Sequence, residues 1–341
     1  MKRIFFIGIL ISGIAFFACS KPSRHDPPKD PGPIIENVLE GWASWSPDGR
    51  YIAYSRSSRD EEEFIRYGPT SIWVYDFQTA KYGFLVGPGN FPEWSPDGTI
   101  LAFEYGYNIG FFYLQERTIR QVTHTGGIAV FGWSPRGDQL LVNRQGCWIV
   151  DTLGNQIRNV APMDSTPGFW QTIQSSDWGP SGDKILISRK NSITIFDIIT
   201  VDTLGNFLQT LASDPDWQAC DGLNWSPDAM RFTASVSYFG TDRNPEEVRV
   251  YDIPSQSFNI ISDPAGMGEW SPDGTQIAHQ KYTWMAPSPD SSLLPDIGRV
   301  TVWVSNADGS NAHELLGWPQ VGFDSTMFGG GYSWLDPRPP Q

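Results

Sequence analysis

Short apolar runs separated by polar turn residues recur along most of this chain. In the first complete unit, an extended run ends at Trp45-Ser46 and the turn Ser46-Pro47-Asp48-Gly49 follows. Pro presets φ at the second turn position, Asp can bond its own backbone, and Gly accepts the left-handed conformation. Then come Tyr51-Ile52-Ala53-Tyr54, Ser71–Asp76 and Lys81–Val86, rich in β-branched and aromatic residues. Such runs predict strands, and their order predicts a four-stranded antiparallel meander.

The unit repeats. Copies of Trp-Ser-Pro-Asp-Gly begin at Trp45, Trp94, Trp133, Trp178, Trp225 and Trp270, and a truncated echo starts at Trp334. Successive steps are 49, 39, 45, 47, 45 and 64 residues, and a strand-built period of roughly 40–50 residues is the mark of a β-propeller. The expected fold class is therefore all-β, a six-bladed β-propeller of four-stranded antiparallel blades, with seven blades as the alternative. Trp334 is assigned to a closing strand on the first blade, with Ile34–Leu39 displaced to the outside, because closure removes an exposed sheet edge. The turn drifts between copies: Arg136 stands in place of Asp, Gly179 and Ser181 in place of Ser and Asp, and Ala229 in place of the final Gly. The Asp residues are accordingly read as turn formers, and the Trp residues as packing between blades.

The pattern Trp-Ser-Pro-Asp-Gly-x-x-Ile-Ala-Tyr/Phe, followed by Ile-Trp-Val-Tyr-Asp, resembles the propeller repeat of the TolB family over nearly all of residues 34–336. The resemblance implies a six-bladed propeller that works as a protein-interaction platform in the bacterial envelope. Only a short linker precedes the first repeat, so no separate α/β domain is expected ahead of it.

The N-terminus reads as an address. Lys2-Arg3 precedes a 14-residue apolar stretch, Phe5 to Ala18, short for a membrane span but suited to a signal peptide. It ends in Phe16-Phe17-Ala18-Cys19, which resembles a lipoprotein cleavage box and makes Cys19 the expected lipid attachment site. Residues 1–18 are thus the signal peptide, 19–33 the lipidated Cys and a Pro-rich tether, and 34–341 a single propeller domain. The chain carries 24 basic against 38 acidic residues, and losing Lys2 and Arg3 makes it more acidic still. That balance argues against nucleic acid as a partner. Cys147 and Cys220 are expected to remain unpaired.

A meander sorts its loops onto two faces, and the second-to-third-strand loops are uneven. Those at Ser55–Thr70, Val236–Glu247 and Lys281–Gly298, in blades one, five and six, are long, whereas those of blades two, three and four are minimal. Loops on a rigid scaffold carry function, and exposed aromatic anchors suit a protein interface. The expected rim draws Arg59, Glu62, Phe64 and Arg66 from the first loop, Tyr238 and Arg243 from the second, and Trp284 from the third. Trp170, Trp217, Trp318 and Phe323 join it from inter-blade loops. These aromatics form either an interface or a plug folded over the propeller end. Asn306–Asn311 is read as a hairpin turn and not a calcium loop, since it lacks the repeated acidic positions.

Catalysis finds little support. No Gly-x-Ser-x-Gly elbow occurs, and only four His exist, of which His279 alone is placed near the axis. No cofactor or metal is expected, and the protein is read as a monomer acting on envelope proteins, membrane-bound through its lipid. The alternative is a small-molecule or glycan binder at the channel mouth, with a carboxylate-bound metal and weak hydrolase or lyase activity.

Overall fold

A computed structural model describes residues 37–59, 70–127, 130–144, 146–162, 172–190, 195–238, 246–284 and 297–315. Blade one contains β1 (Asn37–Trp45), β2 (Tyr51–Arg59), β3 (Ser71–Asp76) and β4 (Lys81–Val86). Blade two has β5 (Asn90–Trp94), β6 (Ile100–Tyr105), β7 (Asn108–Tyr113) and β8 (Thr118–Gln121); blade three has β9 (Val130–Trp133), β10 (Gln139–Asn143), β11 (Gly146–Asp151) and β12 (Gln156–Pro162). Blade four has β13 (Thr172–Trp178), β14 (Lys184–Lys190), β15 (Phe196–Asp202) and β16 (Phe207–Asp214). Blade five has β17 (Trp217–Trp225), β18 (Arg231–Tyr238), β19 (Glu246–Asp252) and β20 (Ser257–Ser262). Blade six closes with β21 (Ala265–Trp270), β22 (Gln276–Trp284), β23 (Ile297–Asn306) and β24 (His313–Glu314).

Every blade is an antiparallel meander in chain order, and each innermost strand packs on that of the next blade, with β21 against β1. The ring closes with six blades.

Turn chemistry repeats in atomic detail. Ser46 Oγ donates to Asp48 Oδ1 at 2.6 Å and accepts the Tyr51 amide at 2.8 Å, while the Gly49 amide reaches the Ser46 carbonyl at 2.8 Å. Where Arg136 has replaced the Asp, Ser134 Oγ turns to Asp138 at 3.0 Å, so the turn survives a shifted partner. The turn glycines at 49, 98, 137, 182 and 274 hold φ between 69° and 77°, and Ala229 holds 57° at the sixth.

Each repeat Trp fills the seam with the preceding blade. Trp45 joins Ile52 and Tyr54 against Ala278, Val302 and Val304 of blade six, and Trp133 lies with Ala102, Ile109 and Phe111 of blade two. Strand alternation sends Ile52 and Tyr54 to that seam and Ala53 to the one beyond, with Ile72 and Leu101. Hence the core is six seams rather than one centre.

Several expectations are corrected. Ile34–Leu39 does not lie outside blade one in its described part: from Asn37 the chain already runs in β1, paired with β2 and bridged in parallel to β23 at Leu39 and Val300. Trp334 lies outside the described residues. The three long loops are shorter than expected, because paired strands run on through Arg59, Tyr238 and Trp284 before the chain leaves the sheet. Cys220 sits on β17 rather than in a loop, and both Cys147 and Cys220 are buried free thiols.

A left-handed backbone costs a non-glycine residue about 1–2 kcal/mol, and glycine returns about 0.4–1 kcal/mol of that through the unfolded chain. Ala229→Gly is therefore expected to stabilise the protein by roughly 0.5–1 kcal/mol, measured as a rise in the denaturant midpoint at unchanged slope.

Candidate functional site

Two regions carry polar chemistry: the upper edge of blades one, five and six, and the central shaft.

At the upper edge, the second strands of these three blades outrun those of the others. β2 and β22 have nine residues and β18 has eight, against six in β6, five in β10 and seven in β14. Arg59, Tyr238 and Trp284 are the last residues of β2, β18 and β22, so the structure sets all three on this edge. Tyr238 is half-buried, and its hydroxyl accepts from Arg249, which also bonds Glu247 and lies 4.1 Å over the Phe258 ring. Glu62, Phe64, Arg66, Trp170, Arg243, Trp318 and Phe323 lie outside the described residues, as does Cys19. Trp217 is a correction. It is 2% exposed, opens β17 opposite Tyr238, and packs edge-on to Tyr251 at 6.5 Å. Strand pairing has turned an expected rim aromatic into core.

The same edge holds groups that sequence reasoning passed over. Tyr282 sits between blades five and six, with its hydroxyl 3.0 Å from Glu246 Oε2 and 3.2 Å from Gln280 Oε1. Burial, reinforced by Glu246, pushes the nearby Asp221 carboxyl up to about 7. Glu246 is likewise raised by burial, against the lowering effect of the Tyr282 bond. On blade one, Glu40 is buried 3.7 Å from Arg56, whose guanidinium covers the Trp73 ring at 4.6 Å. Nothing in the spacing of these residues marks them; the bulges in β17 and β21 bring them together.

The shaft is built from the residue directly before each repeat Trp: Ser44, Glu93, Gly132, Asp177, Asn224 and Glu269. An innermost strand is a sheet edge, so part of its backbone has no strand partner and must be paired otherwise. At four of the six seams the preceding blade supplies a side-chain acceptor. The Trp45 amide donates to Glu269 Oε1 at 2.9 Å, Trp225 to Asp177 Oδ2 at 2.7 Å, Trp270 to Asn224 Oδ1 at 3.0 Å, and Trp94 to Ser44 Oγ at 3.4 Å. A second tier joins Ser55 Oγ to the Phe91 amide at 3.0 Å and Ser235 Oγ to the Met267 amide at 2.7 Å, both at left-handed bulge residues.

Glu93, Asp177 and Glu269 come from alternate blades yet act on one another electrostatically, which places them around the axis. Desolvation dominates each. It raises Asp177 to about 7 and Glu269 to about 8, the latter increased by Asp177 and restrained by the Trp45 amide. Glu93 is pushed well up, by burial first and then by the other two carboxylates. Among the described residues, no three His, Cys, Asp or Glu side chains are close enough together to hold a metal ion. His279 is not on the shaft: alternation sets it with Ile277 toward blade five, 1% exposed, and burial lowers it to about 4.

No protein-family model matches the sequence, and no curated protein matches it. Among solved structures, a TolB-like protein of Agrobacterium tumefaciens aligns with a TM-score of 0.56 at 18% identity, over 72% of this chain and 87% of that one. TolB of Acinetobacter baumannii aligns at 0.48 and 18%, over 65% and 53%. An oligogalacturonate lyase in complex with manganese aligns at 0.50 and 13%, over 81% and 78%. At these identities the likeness is one of fold: the chain shares the TolB-type propeller.

The raised carboxyls set the pH response. Each binds its proton more tightly folded than unfolded, so stability is greatest below the unfolded carboxylate range and declines as pH rises toward 7–8. His279 works oppositely, with stability lost as pH falls from 6.5 toward 4. Above pH 6.5 only the carboxyls act. The melting temperature is expected to fall between about pH 6.5 and 8.5, with Glu269→Gln flattening that slope by about 1–2 kcal/mol, since the amide oxygen still accepts from Trp45. Scanning calorimetry across this range checks it, and a flat wild-type profile would contradict the shaft electrostatics.

Proposed function

We propose that this protein is a non-enzymatic, lipid-anchored propeller that serves as a protein-interaction platform in the bacterial cell envelope. The raised edge of blades one, five and six is its contact surface. One observation carries this reading: the second strands of three ring-adjacent blades run on, paired, beyond those of the other three, on the face where β1 begins. An interface needs an elevated, rigid and asymmetric patch, and paired strands supply rigidity that free loops lack. The TolB-type fold supports the envelope setting, and the Cys19 cleavage pattern supports the anchor.

The edge also has the composition of a contact surface. Tyr238 and Tyr282 offer aromatic bodies with polar tips, and Arg56 and Arg249 are held by carboxylates beside them.

Crosslinking in the native host, followed by mass identification, tests the surface. Replacing residues 285–296 by a short Gly-Ser turn is expected to remove the main captured partner while leaving the melting temperature within a few degrees. An unchanged partner set would exclude this edge. The anchor has its own check: Cys19→Ala is expected to move the protein from the membrane to the soluble fraction and to abolish incorporation of labelled fatty acid.

A further inference from the structure

The outer hairpins follow one rule with two exceptions. In blades one, two, five and six the residue after the third strand is apolar and tucks beneath the hairpin, where Phe77, Leu114, Ile253 and Ala307 pack on the seams. Blades three and four instead carry the same five residues, Asp-Thr-Leu-Gly-Asn, at 151–155 and 202–206. Thr152 and Thr203 take the tucked place, and the leucine falls one position later, on the outside. Leu153 is 66% exposed and Leu204 61%, with Ile157, Phe207 and Leu208 open beside them.

These knobs are held firmly. Asp151 Oδ1 accepts the Leu153 and Asn155 amides at 2.9 and 2.8 Å, and Asp202 Oδ1 accepts those of Leu204 and Asn206 at the same distances. Arg120 Nη2 reaches the Thr152 carbonyl at 2.8 Å, and Arg158 Nη1 the Thr203 carbonyl at 3.3 Å. A Cβ on Gly205 would lie 2.8 Å from the Val160 carbonyl, so the blade-four hairpin rests directly on β12. The two hairpins therefore form one surface. Its five apolar side chains present on the order of 500 Å², at the upper end of what a monomer ordinarily exposes.

Charge selects the occupant. The chain is strongly acidic, at −14, yet here exposed Arg120 and Arg158 balance Asp151 and Asp202 of the two hairpins. An acidic protein meets least repulsion at this flank. Strand addition is disfavoured, because the outermost strands β12 and β16 each carry two register breaks. We propose that a second copy of this chain docks on the outer flank of blades three and four, hairpin knobs against hairpin knobs about a two-fold axis, with Leu153 and Leu204 at the centre. Blade four stands opposite blade one in the ring, so the contact leaves the edge of blades five, six and one free in both copies. The dimer does not depend on that edge being an interface.

Sedimentation equilibrium of the full chain in density-matched detergent tests this. A concentration-dependent monomer–dimer equilibrium is expected, weakened more than about tenfold by Leu153→Asp with Leu204→Asp at an unchanged melting temperature. Ile260→Asp, exposed on blade five, is expected to leave it alone. In a Cys19→Ala background, Leu204→Cys is expected to form an intermolecular disulfide under mild oxidation, since Cys147 and Cys220 are buried. A single monomeric species at every concentration, a dimer indifferent to the double substitution, or binding of the monomer to phosphatidylcholine vesicles through these leucines would each overturn the proposal.

Discussion

Pairing of innermost-strand backbone by side chains of the preceding blade is the constraint on which this ring depends. Each blade ends at the shaft in a strand edge, and a buried edge with unpaired amides is costly. Glu269, Ser44, Asp177 and Asn224 meet that demand from one blade to the next, and the Trp whose amide is held is also the Trp that fills the seam. Hydrogen bonding and apolar burial thus act on the same residue, which couples ring closure to core formation. Carboxyls are one way to meet that demand, and Asp177, Glu269 and their neighbour Glu93, set near one another around the axis, hold their protons more tightly than in the unfolded chain.

The ring is uneven in two ways that divide the molecule. Blades five, six and one lengthen their second strands on the upper face, where paired acidic and aromatic groups gather. Blades three and four turn leucines outward on the opposite face. Propeller geometry sets these sectors across from each other, so neither surface obstructs the other. A rigid ring lets one chain present two faces without any moving part.

Much of the fold was legible because its determinants are local. Ser-Pro-Asp-Gly dictates a turn wherever it occurs, and Trp at a fixed offset marks the innermost strand. The shaft acceptors escaped notice because their side chains differ: Ser, Glu, Gly, Asp, Asn and Glu share only the power, Gly132 excepted, to accept a hydrogen bond. The visible signal was that none of the six positions before the Trp is apolar. Ser55–Arg59 read as loop because a strand standing above the body of a blade needs no apolar face. Trp217 read as exposed because Asp214-Pro215-Asp216 resembles a long connection, whereas only Pro215 and Asp216 lie between β16 and β17. Counting repeats left six or seven blades open because of the echo at Trp334, and the packing of β21 on β1 decides for six.

The bridge between Leu39 and Val300 has a mechanical meaning. β1 lies between β2 on one side and β23 on the other, and its first residues lead back toward the chain start. A force applied at Asn37 along the axis of β1 slides it lengthwise against β2, so that the Asn37–Gly41 pairs with Ser55–Arg59 carry the load together instead of peeling one by one. Bonds loaded together in this direction resist the force better than the same bonds opened in turn.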